Sequence, residues 1–158
     1  MKYYLHILTT LLLSTPLLLQ GNVVQVSAGG YHSLALKDDG TVVGWGYNEY
    51  GQINIPTDLS NVTQISAGGF HSLALKEDGT VVGWGYNGNG QTEVPEGLLN
   101  VIQISAGEYH SLALKEDGTV VGWGVYSPEG LTDVIQISAG DVHSLALKED
   151  GTVIAFGY

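Results

Sequence analysis

From residue 23 onward the chain repeats one unit four times, and this repetition restricts the possible folds more than any other feature. The run Ser27-Ala28-Gly29-Gly30-Tyr31-His32-Ser33-Leu34-Ala35-Leu36-Lys37 returns at 66–76, 105–115 and 138–148. Its histidines, His32, His71, His110 and His143, are spaced by 39, 39 and 33 residues, and 71–85 is identical to 110–124. The copies span 23–61, 62–100, 101–133 and 134–158. The third is six residues short, with Val125-Tyr126-Ser127-Pro128 where the second has Tyr86-Asn87-Gly88-Asn89-Gly90-Gln91.

Each unit reads as β-structure. Val62-Thr63-Gln64-Ile65-Ser66-Ala67 alternates apolar and polar residues, as a half-buried strand does. In His71-Ser72-Leu73-Ala74-Leu75-Lys76 the period of two puts His71, Leu73 and Leu75 on one face and Ser72 and Ala74 on the other. Glu77-Asp78-Gly79 is a hairpin turn, in which glycine supplies a positive φ. Thr80-Val81-Val82-Gly83-Trp84-Gly85 is the returning strand, rich in β-branched and aromatic residues. No stretch after Gln20 carries the apolar spacing of a helix of useful length.

One three-stranded unit cannot bury both of its faces, but stacked copies can, and a twisted sheet repeated at this period forms radial blades. The small Ser-Ala-Gly residues suit the crowded axis, and Trp45, Trp84 and Trp123 suit the wider gap further out. The expected fold is therefore all-β: a β-propeller-type repeat of four blades after an N-terminal signal-like segment. Open arrays need polar caps. Val23-Val24-Gln25-Val26 and Val153-Ile154-Ala155-Phe156 are not caps, so a partial or oligomer-completed propeller is expected rather than a closed four-blade ring.

The recurring pattern Ser-Ala-Gly-x-x-His-Ser-Leu-Ala-Leu-Lys-x-Asp-Gly-Thr-Val-x-Gly-Trp-Gly-x-Asn-x-x-Gly-Gln resembles the repeat of the regulator of chromosome condensation family, over residues 23–158. It is most similar to the secreted bacterial branch. The resemblance implies propeller blades and a protein partner held by loops of one face, as an inhibitor of that branch covers its target enzyme. The nuclear branch, with exchange activity on a small GTPase, fits less well. Five lysines, no arginine and a net charge of −11 oppose chromatin or any other nucleic acid as a partner.

The recurring residues offer little chemistry. Equivalent histidines could meet at a metal only in a tightly closed ring, and a residue at one rank in every blade reads as architecture, bonded to backbone of its own or the next blade. Neighbouring Ser72 and His71 point to opposite faces, so no Ser-His dyad forms within a unit. The acidic turns lack the alternating oxygen ligands of a calcium loop. With no cysteine there is neither a disulfide framework nor a thiolate site. The expectation is a non-enzymatic chain without cofactor or metal.

Function is expected where the copies differ. The two residues after Ser-Ala-Gly are Gly30-Tyr31, Gly69-Phe70, Glu108-Tyr109 and Asp141-Val142. Tyr31, Phe70, Glu108, Tyr109 and Asp141 thus form the candidate protein-binding set, along one rim, with rigid rings as anchors. A second variable set, Tyr47-Asn48-Glu49-Tyr50, Tyr86-Asn87-Gly88-Asn89 and Val125-Tyr126-Ser127-Pro128, lies in the inter-blade loops. Lys2 followed by the leucine-rich stretch 5–19 reads as a secretory signal within residues 1–21. Its fifteen apolar-rich residues fall short of the ~20 needed to span a bilayer. A secreted, periplasmic or cell-surface location follows, with no stable membrane insertion after cleavage and with self-association as a further possibility for the uncapped blades.

Overall fold

The computed structural model describes residues 21–125, 128 and 130–158; the signal-like segment lies, apart from Gly21, outside them. Twelve strands form four three-stranded antiparallel sheets, each in simple sequence order. Blade 1 holds β1 (Val23–Ala28), β2 (His32–Lys37) and β3 (Val42–Gly46). Blade 2 holds β4 (Val62–Ala67), β5 (His71–Lys76) and β6 (Val81–Gly85). Blade 3 holds β7 (Val101–Ala106), β8 (His110–Lys115) and β9 (Val120–Gly124). Blade 4 holds β10 (Val134–Ala139), β11 (His143–Lys148) and β12 (Val153–Gly157). The all-β, propeller-type reading holds, and no helix occurs among the described residues.

The innermost strands depart from strict alternation. A bulge between Val62 and Gln64 pairs Val62 with Lys76 and Gln64 with Leu75, so one residue of β4 is extra. That slip brings Val62 onto the same buried face as Ile65 and Ala67. All four innermost strands carry the same bulge.

Stacking builds the core. Leu34, Leu36 and Val42 of blade 1 pack on Val62, Ile65, Ala67, Ala74 and Trp84 of blade 2. The same set recurs between blades 2 and 3, and, with Phe156 in place of tryptophan, between blades 3 and 4. Fully burying one such aliphatic side chain is worth about 1.5–3 kcal/mol, so each join is a sizeable part of the fold's stability.

Polar side chains zip the joins. The Gln25 amide donates to the Ile65 carbonyl (3.1 Å) and accepts from the Ile65 N–H (2.9 Å), as a neighbouring strand would. Ser27 Oγ accepts from the Ala67 N–H at 2.9 Å. Gln64 and Ser66 repeat this on blade 3, and Gln103 and Ser105 on blade 4. The otherwise unpaired edge of β4, β7 and β10 is thereby satisfied.

The two outer faces of the series are open. Val26 is 71% exposed where its counterpart Ile65 is 2%, and Trp45 is 51% exposed where Trp84 is 8%. At the other end Leu145 is 41% exposed, whereas Leu73 is fully buried. Blades 1 and 4 therefore do not close face to face in this chain.

Candidate protein-binding face

The Asn-x-x-Gly-Gln segment explains how the loops are held. Asn48 Oδ1 accepts from the Ile53 N–H, Gln52 Oε1 accepts from the Tyr50 N–H, and Gly51 turns the chain at φ +79°. The result aims the Gln52 carbonyl into the next blade, where Ser72 Oγ (2.8 Å) and Trp84 Nε1 (2.9 Å) both donate to it. Gln91 does the same for Ser111 and Trp123. The shortened third unit has no such glutamine, and blade 4 has Phe156 where the others have tryptophan. Phenylalanine fills the place without bringing an indole N–H that would need an acceptor.

The first three repeated histidines do not bond to backbone through Nε2, as the sequence suggested, but reach a serine of the next blade; His143, in the last blade, is exposed. His32 Nε2 lies 2.9 Å from Ser72 Oγ, His71 Nε2 2.9 Å from Ser111 Oγ, and His110 Nε2 2.7 Å from Ser144 Oγ. Ser-His pairs therefore form between units rather than within one. Because Ser72 and Ser111 already donate to glutamine carbonyls, the imidazole must donate to the serine. A catalytic base needs the opposite arrangement, with the hydroxyl proton directed at the ring. These buried pairs are clamps. Nδ1 of His32, His71 and His110 is left buried without a partner among the described residues. Burial accordingly lowers all three pKa values; His71, also beside His110 and His32, falls to about 3.

The variable positions gather at the end of the blades where each middle strand begins. Two successive residues behave differently there. The first of each pair (Gly30, Gly69, Glu108 and Asp141) lines the mouth of a 410 Å³ funnel between the innermost strands, together with Tyr31. The second goes to the rim: the rings of Tyr31 and Phe70 stack with centroids 5.0 Å apart. Tyr109 lies beside Glu108, which raises the pKa of its phenol by accepting its hydrogen bond. Asp141 is exposed, and its carbonyl accepts from the Glu108 N–H at 3.0 Å.

The second variable set joins the first. Tyr47 N–H donates to the Tyr31 carbonyl and Tyr86 N–H to that of Phe70, extending the outer hairpin one step beyond the strands. Tyr47 and Tyr50 approach Phe70 with centroids at 6.1 and 5.4 Å, and Tyr50 meets Tyr86 at 4.9 Å. Tyr31, Phe70, Tyr47, Tyr50 and Tyr86 thus form one continuous aromatic surface. The sequence reading kept these loops apart, although the hairpin pairing of His32 with Gly46 already sets Tyr31 opposite Tyr47. Glu49 accepts the Tyr47 hydroxyl and pushes its pKa up to about 12. Among the described residues no group of three or more histidine or acidic side chains is placed to hold a metal.

Comparison with known proteins places this scaffold. The yeast RCC1 protein Prp20, in its complex with Kap60, superposes with a TM-score of 0.77 at 25% identity, over 91% of this chain and 45% of its own. Human WBSCR16 gives 0.76 at 26% identity, over 88% of this chain and 48% of its own. RCC1 domain-containing protein 1 of Mus musculus is 48% identical over 40 residues, 25% of this chain and 11% of that protein. The chain thus spans under half of either solved structure and about a tenth of that relative. The regulator of chromosome condensation (RCC1) repeat matches at 23–52, 62–91, 101–125 and 134–158, the third match stopping where the glutamine-bearing loop is lost. With four matches covering most of its length, the chain belongs to the RCC1 repeat family.

Proposed function

We propose that the chain is an exported, non-enzymatic module that holds a protein partner on its aromatic face. The carrying observation is the cluster of five touching rings on loops rather than in the core, with Tyr31 64% exposed, beside the carboxylates of Glu108 and Asp141. Exposed contiguous aromatics on a rigid scaffold are what protein interfaces use as anchors. RCC1-type propellers generally act by binding proteins, and Prp20 is described as binding Gsp1p and histones. The leucine-rich leader supports export.

The test is affinity capture of exported proteins on the immobilised chain, with Tyr31, Phe70 and Tyr109 replaced together by alanine. Retention of specific proteins should drop at least ~10-fold, since each anchor is worth about 1–2 kcal/mol, while Trp84 and Trp123 fluorescence stays native. Equal capture by both forms rules the face out.

The open outer faces favour a second reading, self-association. Blade 4 presents Gln136, Ser138, Leu145 and Val153, and blade 1 presents Val23, Val26, Ala28 and Trp45. These are the two halves of the join seen three times inside the chain, and a second copy offers both. Light scattering should give a dimer of the full chain that Leu145→Glu converts to a monomer; a monomeric parent chain refutes the docking.

A further inference from the structure

The two ends of the blades differ in charge. All four described lysines (Lys37, Lys76, Lys115 and Lys148) occupy the last position of a middle strand, at the end remote from the aromatic loops. There three of them neighbour acids of the same end: Lys76 lies 3.2 Å from Asp78 and Lys115 3.0 Å from Asp117, both in hairpin turns, and Lys148 3.5 Å from Asp133, just before β10. Among the described residues the aromatic end carries Glu49, Glu93, Glu108 and Asp141 with neither lysine nor arginine. Among the described residues the partners of three of these acids are neutral groups: Tyr47 for Glu49, Asn87 for Glu93 and Tyr109 for Glu108. Their negative charge is uncompensated.

Aromatic faces and uncompensated carboxylates attract the same kind of group. The ring quadrupole favours a cation over its face, and a guanidinium both stacks on rings and bonds carboxylates in pairs. The geometry joins the two attractions at one place. Tyr31 belongs to the ring cluster and also lines the funnel mouth that Glu108 and Asp141 share. The rest of that mouth is alanine and glycine, so no other side chain competes for the 410 Å³ space. Such a volume is in the range of small ligand sites.

We infer that this face takes an extended protein segment bearing arginine, one guanidinium of which enters the funnel between Tyr31 and the Glu108–Asp141 pair. The inference rests on the protein-binding reading and gives its partner a chemistry. Anionic partners are repelled by the same carboxylates.

The test uses fluorescent peptides of about ten residues in which glycine alternates with arginine, glutamate or leucine, titrated into the full chain. The arginine peptide should bind, the glutamate peptide should not, and added salt should weaken binding. Glu108→Gln with Asp141→Asn should weaken the arginine peptide at least ~10-fold, and Tyr31→Ala likewise. Glu77→Gln with Glu116→Gln, exposed turn acids at the far end, should leave it within about twofold. Absence of arginine-peptide binding, or equal losses from both carboxylate pairs, overturns the inference. If the leucine peptide binds and loses affinity with Tyr31→Ala while neutralising Glu108 and Asp141 changes nothing, the cationic chemistry fails but the protein-binding reading stands. If no peptide responds to Tyr31→Ala and the alanine triple variant also retains every captured protein, both fail.

Discussion

Gly68→Ala is expected to cost about 3 kcal/mol or more, enough to unfold a large fraction of a marginally stable chain. A methyl group at this position would lie 2.5 Å from the Gly107 carbonyl oxygen and 2.5 Å from His71 Cε1. Neither neighbour has room to give. The Gly107 carbonyl accepts from the Gly69 N–H across the join, and His71 is pinned to Ser111. Gly97→Ala is the control, because its methyl meets nothing within 4 Å and bears only the left-handed φ of +78°. That strain is worth about 1–2 kcal/mol. Guanidinium denaturation followed by Trp84 and Trp123 fluorescence should rank the two in this order. If Gly97→Ala proves the more damaging, crowding at the axis does not govern these glycines.

Acidification is expected to destabilise the fold well before its carboxylates protonate. The unfolded chain protonates its histidines near the ordinary value of 6.5, whereas in the folded chain burial holds His32, His71 and His110 neutral to lower pH. The depressed folded pKa means that this stability is fully present above about pH 6.5 and is lost as the pH falls toward the folded value. At 1.36 kcal/mol per pH unit, His71 alone removes about 2 kcal/mol by roughly pH 5 and about 4 kcal/mol by pH 3. A protonated ring would place an Nδ1–H in a dry interior with nothing to accept it. Asp78 and Asp117, held at about 2 by Thr80 and Lys115 respectively, lose their contribution only below about pH 4, outside this window. Urea denaturation between about pH 7.5 and pH 5 should show a falling midpoint, and His71→Gln should flatten the fall while lowering stability at neutral pH. An unchanged slope in that variant refutes the assignment.

Much of the architecture was legible because each clue was local. Alternating Leu73 and Ala74 announced a strand with two buried faces, and Asp78-Gly79 announced the hairpin between β5 and β6. The bulge after Val62 was not legible, since nothing in Val-Thr-Gln-Ile distinguishes a slipped register from a regular one. The histidine partners were missed because Ser72 lies 40 residues from His32, and only the stacking distance brings them together. The role of Gln52 was hidden for a different reason. Its working atom is a backbone carbonyl, which every residue has. One trace was nevertheless available: the third unit loses its glutamine loop and the fourth loses its tryptophan. On the candidate face, divergence among copies picked out Tyr31, Phe70, Glu108, Tyr109 and Asp141, but the contribution of Tyr47, Tyr50 and Tyr86 needed the hairpin register.

The polar zipper also bears on how such chains are lengthened and shortened in evolution. Every boundary uses one directional vocabulary, with glutamine, serine and histidine side chains on one side meeting isoleucine and alanine backbone and a serine hydroxyl on the other. The zipper residues themselves therefore encode no ordinal position. A genetic crossover between the identical stretches 71–85 and 110–124 removes or inserts a whole blade in frame, and the product inherits the same leading and trailing surfaces.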